Sequence, residues 1–570
     1  MDKHYIPDVL APNFIINDGK VITVDKDFSF AEAIAVKDGR IIAVGANDEI
    51  EALRGAHTRT LALNGKVVMP GINDSHCHLT WTIVSVPPYM IDLTYPKVKS
   101  IKDIREEVKA AVSKAKPGEW ILGGGWNQGH IEELIADLNR VPGKGDLDDI
   151  APDNPVWLYE FSRHTAFVNT KALELAGITK DMPNPAGGEY HKGSDGELTG
   201  YLVETANAAM ELAAPKYSMD ELIEAFNTNI SCMSRYGITS CTTASERPMN
   251  VNLYSRLYRE AFKKGAHFPI RVNLMLLWSD YALGGAYKEI STALKEVGTA
   301  SNFGNEWVKI GGIKLFCDGI PPTRTAWQYN PYPDGTYGSL VIPGDTDEEK
   351  LEELQRIVDI CHDNSYQLGV HTCGDRALAE TVKAMSIAME RSPWDARHYV
   401  VHGDFISEES IVLMSKYNIL LTTQTELKYV LTDDMIARAG EEVASNQWPL
   451  KQLVDNGVIV CNSSDSPCAS TDWRPGMQTA ILRESMSGVI SGPHQSLSVE
   501  EAIRSYTING AYLDHTDEVK GSIEVGKYAD FCVLGKDITA IDPHEIMDTP
   551  IHMTIVGGHV VYSDGVLELK

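Results

Sequence analysis

The stretch VVMPGINDSHCHL, residues 67–79, decides how the rest of this sequence is read. It is an apolar run that ends in two histidines, His76 and His78. Positions i and i+2 of extended chain face the same way, so both imidazoles point to one side of a strand end. Seven more short apolar runs follow, alternating with helical stretches: GITSCTTA (237–244), IRVNLMLLW (270–278), WVKIGGIKLF (307–316), YQLGVH (366–371), RHYVVHG (397–403), NILLTTQ (418–424) and VIVCNSSD (458–465). Eight strands spaced by helices predict an α/β chain built on a (β/α)8 TIM barrel, whose active site lies at the C-terminal ends of the strands.

The spacing is uneven. Far more residues separate His76 from Cys241, on the second strand, than one βα unit needs. An inserted subdomain at about 88–205 accounts for the excess. Outside the barrel region the style changes to short β-branched runs around turns. FIINDGKVITVD (14–25) and AIAVKDGRIIAVG (33–45) carry Asp18-Gly19 and Asp38-Gly39 as hairpin signals. ADFCVLG (529–535) reads as a strand, and MTIVGGHVVYSDG (553–565) as a hairpin around Gly557-Gly558. Neither end holds enough apolar sequence for a core of its own. The expected organisation is therefore one small β domain composed from 1–66 and 516–570, with the barrel from 67–515 between its halves.

Composition narrows the function classes. The chain has 570 residues and a formal net charge of −28 at pH 7, which argues against a phosphate-backbone binder and against anionic membrane surfaces. A hydrophobic fraction of 43% with 23% charged residues is that of a soluble globular protein rather than a disordered or fibrous one. No run of about 18 apolar residues occurs, and the N-terminus lacks a basic segment leading into an apolar one, so a cytoplasmic protein is expected. Nine cysteines with no CxxC pair do not make a disulfide framework in a chain of this length, and buried free thiols are expected instead.

The chemistry collects at strand ends. His371 closes YQLGVH, His402 closes RHYVVH and Asp465 closes VIVCNSSD, each at the end a barrel turns toward its active site. Imidazole and carboxylate together suit zinc, and also manganese, iron or nickel. Lys314, in WVKIGGIKLFCDG, has two readings. It pairs with a carboxylate such as Asp318, or desolvation near metal lowers its pKa and the neutral amine takes up carbon dioxide as a carbamate. Trp126, Trp157 and Trp327 are read as core or as walls of an apolar pocket, and Arg376 with Asp375 as substrate-orienting or as a plain ion pair. Gly123-Gly124-Gly125 reads as a turn beside Trp126, not as a phosphate cradle. No GxSxG, HExxH or GxxxxGK[ST] motif is present.

Taken in order, PGINDSHCHL (70–79), HTAFVNTKALELAGI (164–178), GGIKLFCDG (311–319), VHTCGDRA (370–377), VVHGDF (400–405), SSDSP (463–467) and RSYTINGAYL (504–513) with GSIEVGKYADFCVL (521–534) resemble the YtcJ-like branch, amidohydrolase family 3, of the metal-dependent amidohydrolase superfamily. The chain is similar in these motifs to N-substituted formamide deformylases. The resemblance implies a metal-dependent (β/α)8 barrel at 67–515 beside a composite β-sandwich from 1–66 and 516–570, with His76 and His78 as ligands of a first metal, His371 and His402 as ligands of a second, and Lys314 as a carboxylated bridge. It implies Asp465 as ligand and general base, and His164 as a substrate contact. Trp126 and Arg376 are carried as further substrate-binding candidates. Two departures border the substrate space. The chain has CDGIPPTRTA (317–326) where the family often reads ADGSLGSRTA, with Pro321 and Pro322 stiffening the loop, and VVHGDF where it often reads RIEHAQ.

The reaction expected is hydrolysis of an amide or N-formyl C–N bond, assisted by one or two divalent ions, zinc foremost. Asp465 takes a proton from the attacking water and returns it to the departing amine. A lyase or decarboxylase on the same site is the alternative, and an idle binding or regulatory protein a weaker one. The partner expected is a small amide-like molecule, with neither nucleic acid nor membrane, and at most a second copy of the chain as a homodimer.

Overall fold

The computed structural model describes all residues except 1–5, 8, 138, 186, 279–284 and 298–299. Eight parallel strands make the central sheet: β1 (Ile72–Cys77), β2 (Ile238–Glu246), β3 (Arg271–Leu276), β4 (Val308–Phe316), β5 (Gln367–Thr372), β6 (Tyr399–His402), β7 (Leu420–Thr423) and β8 (Val460–Asn462). They are ordered β8-β7-β6-β5-β4-β3-β2-β1 along the hydrogen-bonded path, with all neighbours parallel. The seam between β8 and β1 is drawn together by individual bonds. Ser75 Oγ donates to the Asn462 carbonyl at 3.0 Å, and the amide of Asp465 to the His76 carbonyl at 2.8 Å. The result is a nearly closed (β/α)8 barrel, as the alternation of apolar runs and helices predicts.

The run VVMPGINDSH is two strands, not one. Val67–Pro70 pairs antiparallel with Phe531–Leu534, Val68 opposite Val533, and belongs to a six-stranded sheet built from both chain ends. The chain passes through Gly71 and enters the barrel as β1. A β-carbon on Gly71 would stand 2.1 Å from the Thr239 side chain on β2, so only glycine allows that approach. A four-stranded sheet ordered Arg40–Gly45, Ala33–Lys37, Phe14–Asn17, Arg59–Ala62 faces the six-stranded one, and Ile16, Ile34, Val68 and Phe531 share one core between them. Asp38-Gly39 and Gly557-Gly558 turn hairpins, with both residues of each pair at positive φ. Asp18-Gly19 does not. Phe14–Asn17 and Lys20–Ile22 pair with different partners, and the turn carries the chain from one sheet to the other.

Between β1 and β2 a separate six-stranded sheet forms, ordered Gly188–Lys192, Leu198–Glu204, Thr165–Val168, Val156–Glu160, Ile121–Trp126, Ile91–Asp92. Alternation divides its sides: Val156 and Leu158 pack in one core, Trp157 and Tyr159 in another. The helix Ile101–Val112 buries Ile101, Ile104 and Val108 against the first of these. Gly123-Gly124-Gly125 lies inside a strand rather than in a turn. Gly125, at φ +97, forms a bulge, and a β-carbon on Gly123 would press on Ile91 at 2.6 Å.

At the other end of the barrel Asp514 is buried and gathers the N-terminal parts of three strands. It accepts from Asn73 at 3.1 Å, from Asn273 at 2.9 Å and from the Thr242 hydroxyl, and pairs with the buried Lys520 at 3.0 Å. Asp514→Ala leaves that ammonium unpaired and is expected to destabilise the protein by about 3–5 kcal/mol. Denaturant unfolding checks this. A change within the ~0.5 kcal/mol usual for surface substitutions would show that Asp514 organises nothing. No helix among the described residues is long and apolar enough to cross a membrane.

Candidate metal centre

The strand ends open into a cavity of about 300 Å³ whose lining includes His76, His78, His164, Lys314, His371, His402 and Asp465. His76 and His78 leave the end of β1, and Asp465 follows β8. The Nε2 atoms of both histidines lie 3.3 Å from Asp465 Oδ1. The ligand-type atoms of these three residues fall within 4.8 Å of one another, and so do those of His371, Cys373 and His402. The two sets adjoin: the His76 and His402 ring centres are 6.1 Å apart, and those of His371 and His402 4.5 Å.

Partners behind the rings fix their orientation. His78 directs Nδ1 at the Ala244 carbonyl, 3.2 Å, and His402 directs Nδ1 at Gln424 Oε1, 2.7 Å, so each presents Nε2 to the centre. His371 turns Nε2 to the Gly319 carbonyl at 3.2 Å. Burial, followed by the charge of Lys314, holds His76 well below the ordinary imidazole range, and burial brings His402 down to about 4. Asp465 sits well below the usual carboxylate range, because the His76 and His78 rings outweigh the effect of its burial. Neutral rings at His76 and His402 and an ionised carboxylate at Asp465 are the protonation states that metal ligation requires.

Lys314 does not pair with Asp318. That carboxylate accepts instead from the amides of Trp327 (2.9 Å), Cys373 (3.1 Å) and Gly374 (2.8 Å). Nζ of Lys314 is buried with no hydrogen-bond partner, and burial draws its pKa down to about 8. Nδ1 and Nε2 of His76 and Oδ1 of Asp465 are equally buried and make no hydrogen bond among the described residues, although Nε2 and Oδ1 face each other at 3.3 Å. An ammonium, an imidazole and a carboxylate left this way inside a protein ask for a group to satisfy them. A divalent cation fits these donors, which combine nitrogen and oxygen at borderline softness.

His164 stands on the turn between two strands of the inserted sheet and meets His371, ring centres 5.1 Å apart. Its Nδ1 lies 2.6 Å from Glu204 Oε2. Burial opposes the charge of this ring, but the Glu204 carboxylate prevails and raises its pKa. Two other candidates lie elsewhere. Trp126 is buried in the inserted sheet, donating Nε1 to the Leu158 carbonyl at 3.1 Å, and does not line the cavity. Arg376 stacks on Trp327 at 3.9 Å and pairs with Asp347 at 3.3 Å, also away from it. Of the three tryptophans considered from the sequence only Trp157 lines the cavity, joined by Trp81 and Trp448.

Several residues of the site went unnoticed in the sequence. Cys373 and Asp404 each follow a candidate ligand by two positions, in motifs already marked, and both line the cavity. Gln424 closes β7 as the ligands close their strands, a signal that strand-end reading can use. Glu204 gave none, because its role appears only when the inserted sheet folds over the barrel. Pro321–Thr323 forms a short 3₁₀ turn whose prolines line the cavity, so the CDGIPPTRTA departure does border that space. Backbone strain gathers here too: Arg163, Glu204, Ser245, His402 and Asp465 all adopt positive φ, between +51° and +73°.

This arrangement has counterparts. A family model described as "Amidohydrolase family" matches residues 59–562. The putative amidohydrolase YtcJ of Bacillus subtilis is 28% identical over 96% of this chain and 99% of its own length. The N-substituted formamide deformylase of Arthrobacter pascens is 26% identical over 96% of this chain and 98% of its own. Among solved structures, an uncharacterized metal-dependent hydrolase from Pyrococcus horikoshii superposes with a TM-score of 0.69 at 22% identity, covering 93% of this chain and 99% of that one, which shows a shared fold. With the family's match spanning the strand-end cluster, the barrel around it and part of the sandwich, the chain belongs to the amidohydrolase family.

Proposed function

We propose that this protein hydrolyses a C–N bond in a small amide-like molecule at the floor of the cavity. The observation that carries the reading is the set of buried atoms on His76, Lys314 and Asp465 that make no hydrogen bond. A divalent cation, zinc foremost, held by His76, His78 and Asp465, with His371 and His402 for a second, would polarise the scissile carbonyl and lower the pKa of water toward neutrality.

The chain's own groups supply the rest. Asp465 takes the proton of the attacking water on the carboxylate oxygen not turned to the histidines, then passes it to the departing nitrogen. A buried amine near neutrality, as at Lys314, could add carbon dioxide with loss of one proton, and the carbamate would offer carboxylate oxygens as further ligands. His164, fixed by Glu204, faces the same space and contacts the substrate. Trp81, Trp157 and Trp448 exclude water and take apolar parts of the molecule. The relative named for N-substituted formamides places N-formyl amines within the substrate range to be tried. Nine cysteines, none in a disulfide, fit a reducing compartment such as the cytoplasm.

Elemental analysis of the purified protein, paired with product assays over amides and N-formyl amines, tests the proposal. One or two first-row metal ions per chain are expected, with acid and amine released in equal amounts. Metal content near zero after reconstitution overturns the proposal, as does release of carbon dioxide in place of the acid.

A further inference from the structure

Arg163, in the lining of the cavity, makes no ion pair with a carboxylate among the described residues. Arg163, beside His164, holds φ at +63, a left-handed conformation that glycine takes freely and arginine only at a cost. Its guanidinium lies between two aromatic faces, with Cζ 4.9 Å from the Trp81 ring centre and 4.7 Å from that of Tyr159. Nη2 donates to Ser85 Oγ at 2.7 Å and approaches Met90 Sδ at 3.8 Å. Nε and Nη1 make no hydrogen bond to the described residues, and no carboxylate among them forms an ion pair with Arg163. Glu211, which also lines the cavity, feels the charge of Arg163 but makes its ion pair with Arg247, at 3.0 Å. Trp81 in turn stacks on His78, ring centres 4.5 Å apart and planes at 19°. A single indole therefore separates the guanidinium from the ligand cluster.

We propose that Arg163 anchors a carboxylate of the substrate, so that the amides taken here are of the N-acyl amino acid class. The reaction rests on the hydrolytic reading above; the anchor rests on Arg163 alone. A planar guanidinium matches a carboxylate through two parallel hydrogen bonds. Trp81 and Tyr159 hold its plane in place, so little freedom is lost when an anion docks. A protein of net charge −28 repels anions at long range, and a local cation next to the reacting centre is what an anionic substrate needs.

The test compares an N-acetyl amino acid with the matching N-acetyl amine that lacks its carboxylate, by calorimetric binding to chelator-stripped protein and by hydrolysis with the metal-loaded protein. Wild type is expected to bind the carboxylate-bearing ligand about 10- to 100-fold more tightly, the range of a hydrogen bond to a charged group. Arg163→Gly suits the positive φ and keeps the fold, and it is expected to abolish that preference while leaving affinity for the neutral amide within a few-fold. Arg163→Lys is expected to retain part of it. Equal binding of both ligands by wild type, binding of neither, or a preference that survives in Arg163→Gly overturns the anchor. Preferential binding without hydrolysis of either ligand keeps the anchor and overturns the hydrolytic reading instead.

Discussion

Asp465→Asn is expected to lower kcat by about 10³-fold or more, within the range that a positioned general acid or base contributes. The substitution keeps the size of the side chain and an oxygen to face His76 and His78, but it removes the group that accepts and returns the proton. The position is also a strained one, with φ at +53, which asparagine tolerates as well as aspartate does, so loss of the fold is not the expected cause. Circular dichroism and metal content measured beside steady-state rates separate the outcomes. A folded, metal-loaded Asp465→Asn protein with undiminished activity would remove Asp465 from the reaction.

Lys314→Met is expected to have the second largest effect. Methionine fills a similar volume without an amine, so the proposed uptake of carbon dioxide at this position is lost. If Lys314 ligates as proposed, metal affinity should fall by at least the roughly 100-fold that loss of an outer partner costs, and turnover should fall with it. Added short-chain carboxylates, which restore oxygens to the same space, are expected to recover part of the rate in Lys314→Gly. In wild type, protein equilibrated with ¹³C-labelled bicarbonate should show a carbamate carbon resonance that is absent from Lys314→Met. A full complement of metal and full activity in Lys314→Met would reduce the residue to packing.

Much of this site can be read from the sequence because a barrel converts position along a strand into position in space. His76, His371, His402 and Asp465 each terminate an apolar run, and parallel strands bring those ends together whatever their separation in the chain. Lys314 stands inside β4 rather than after it, yet lines the same cavity. What escapes is whatever depends on contacts between layers. Trp126 looks like a pocket wall until strand alternation turns it into the core of the inserted sheet. Asp18-Gly19 has the chemistry of a hairpin turn, but the strands on either side pair more extensively with others, and tertiary pairing decides. Arg163 and Glu204 depend on how the inserted sheet meets the barrel mouth, which neither periodicity nor spacing encodes.

Gly71 gives the metal centre an anchorage of its own. The strand Val67–Pro70 is gripped on one side by Lys20–Ile22, from the beginning of the chain, and on the other by Phe531–Leu534, from near its end. A single glycine later the same backbone is β1, which delivers His76 and His78 to the cavity. With no linker between sandwich and barrel at this joint, displacement of the sandwich strand pulls directly on His76 and His78. The sandwich thus works as a tether that holds the first histidine pair in register, and loosening either end of the chain slackens the centre it supports.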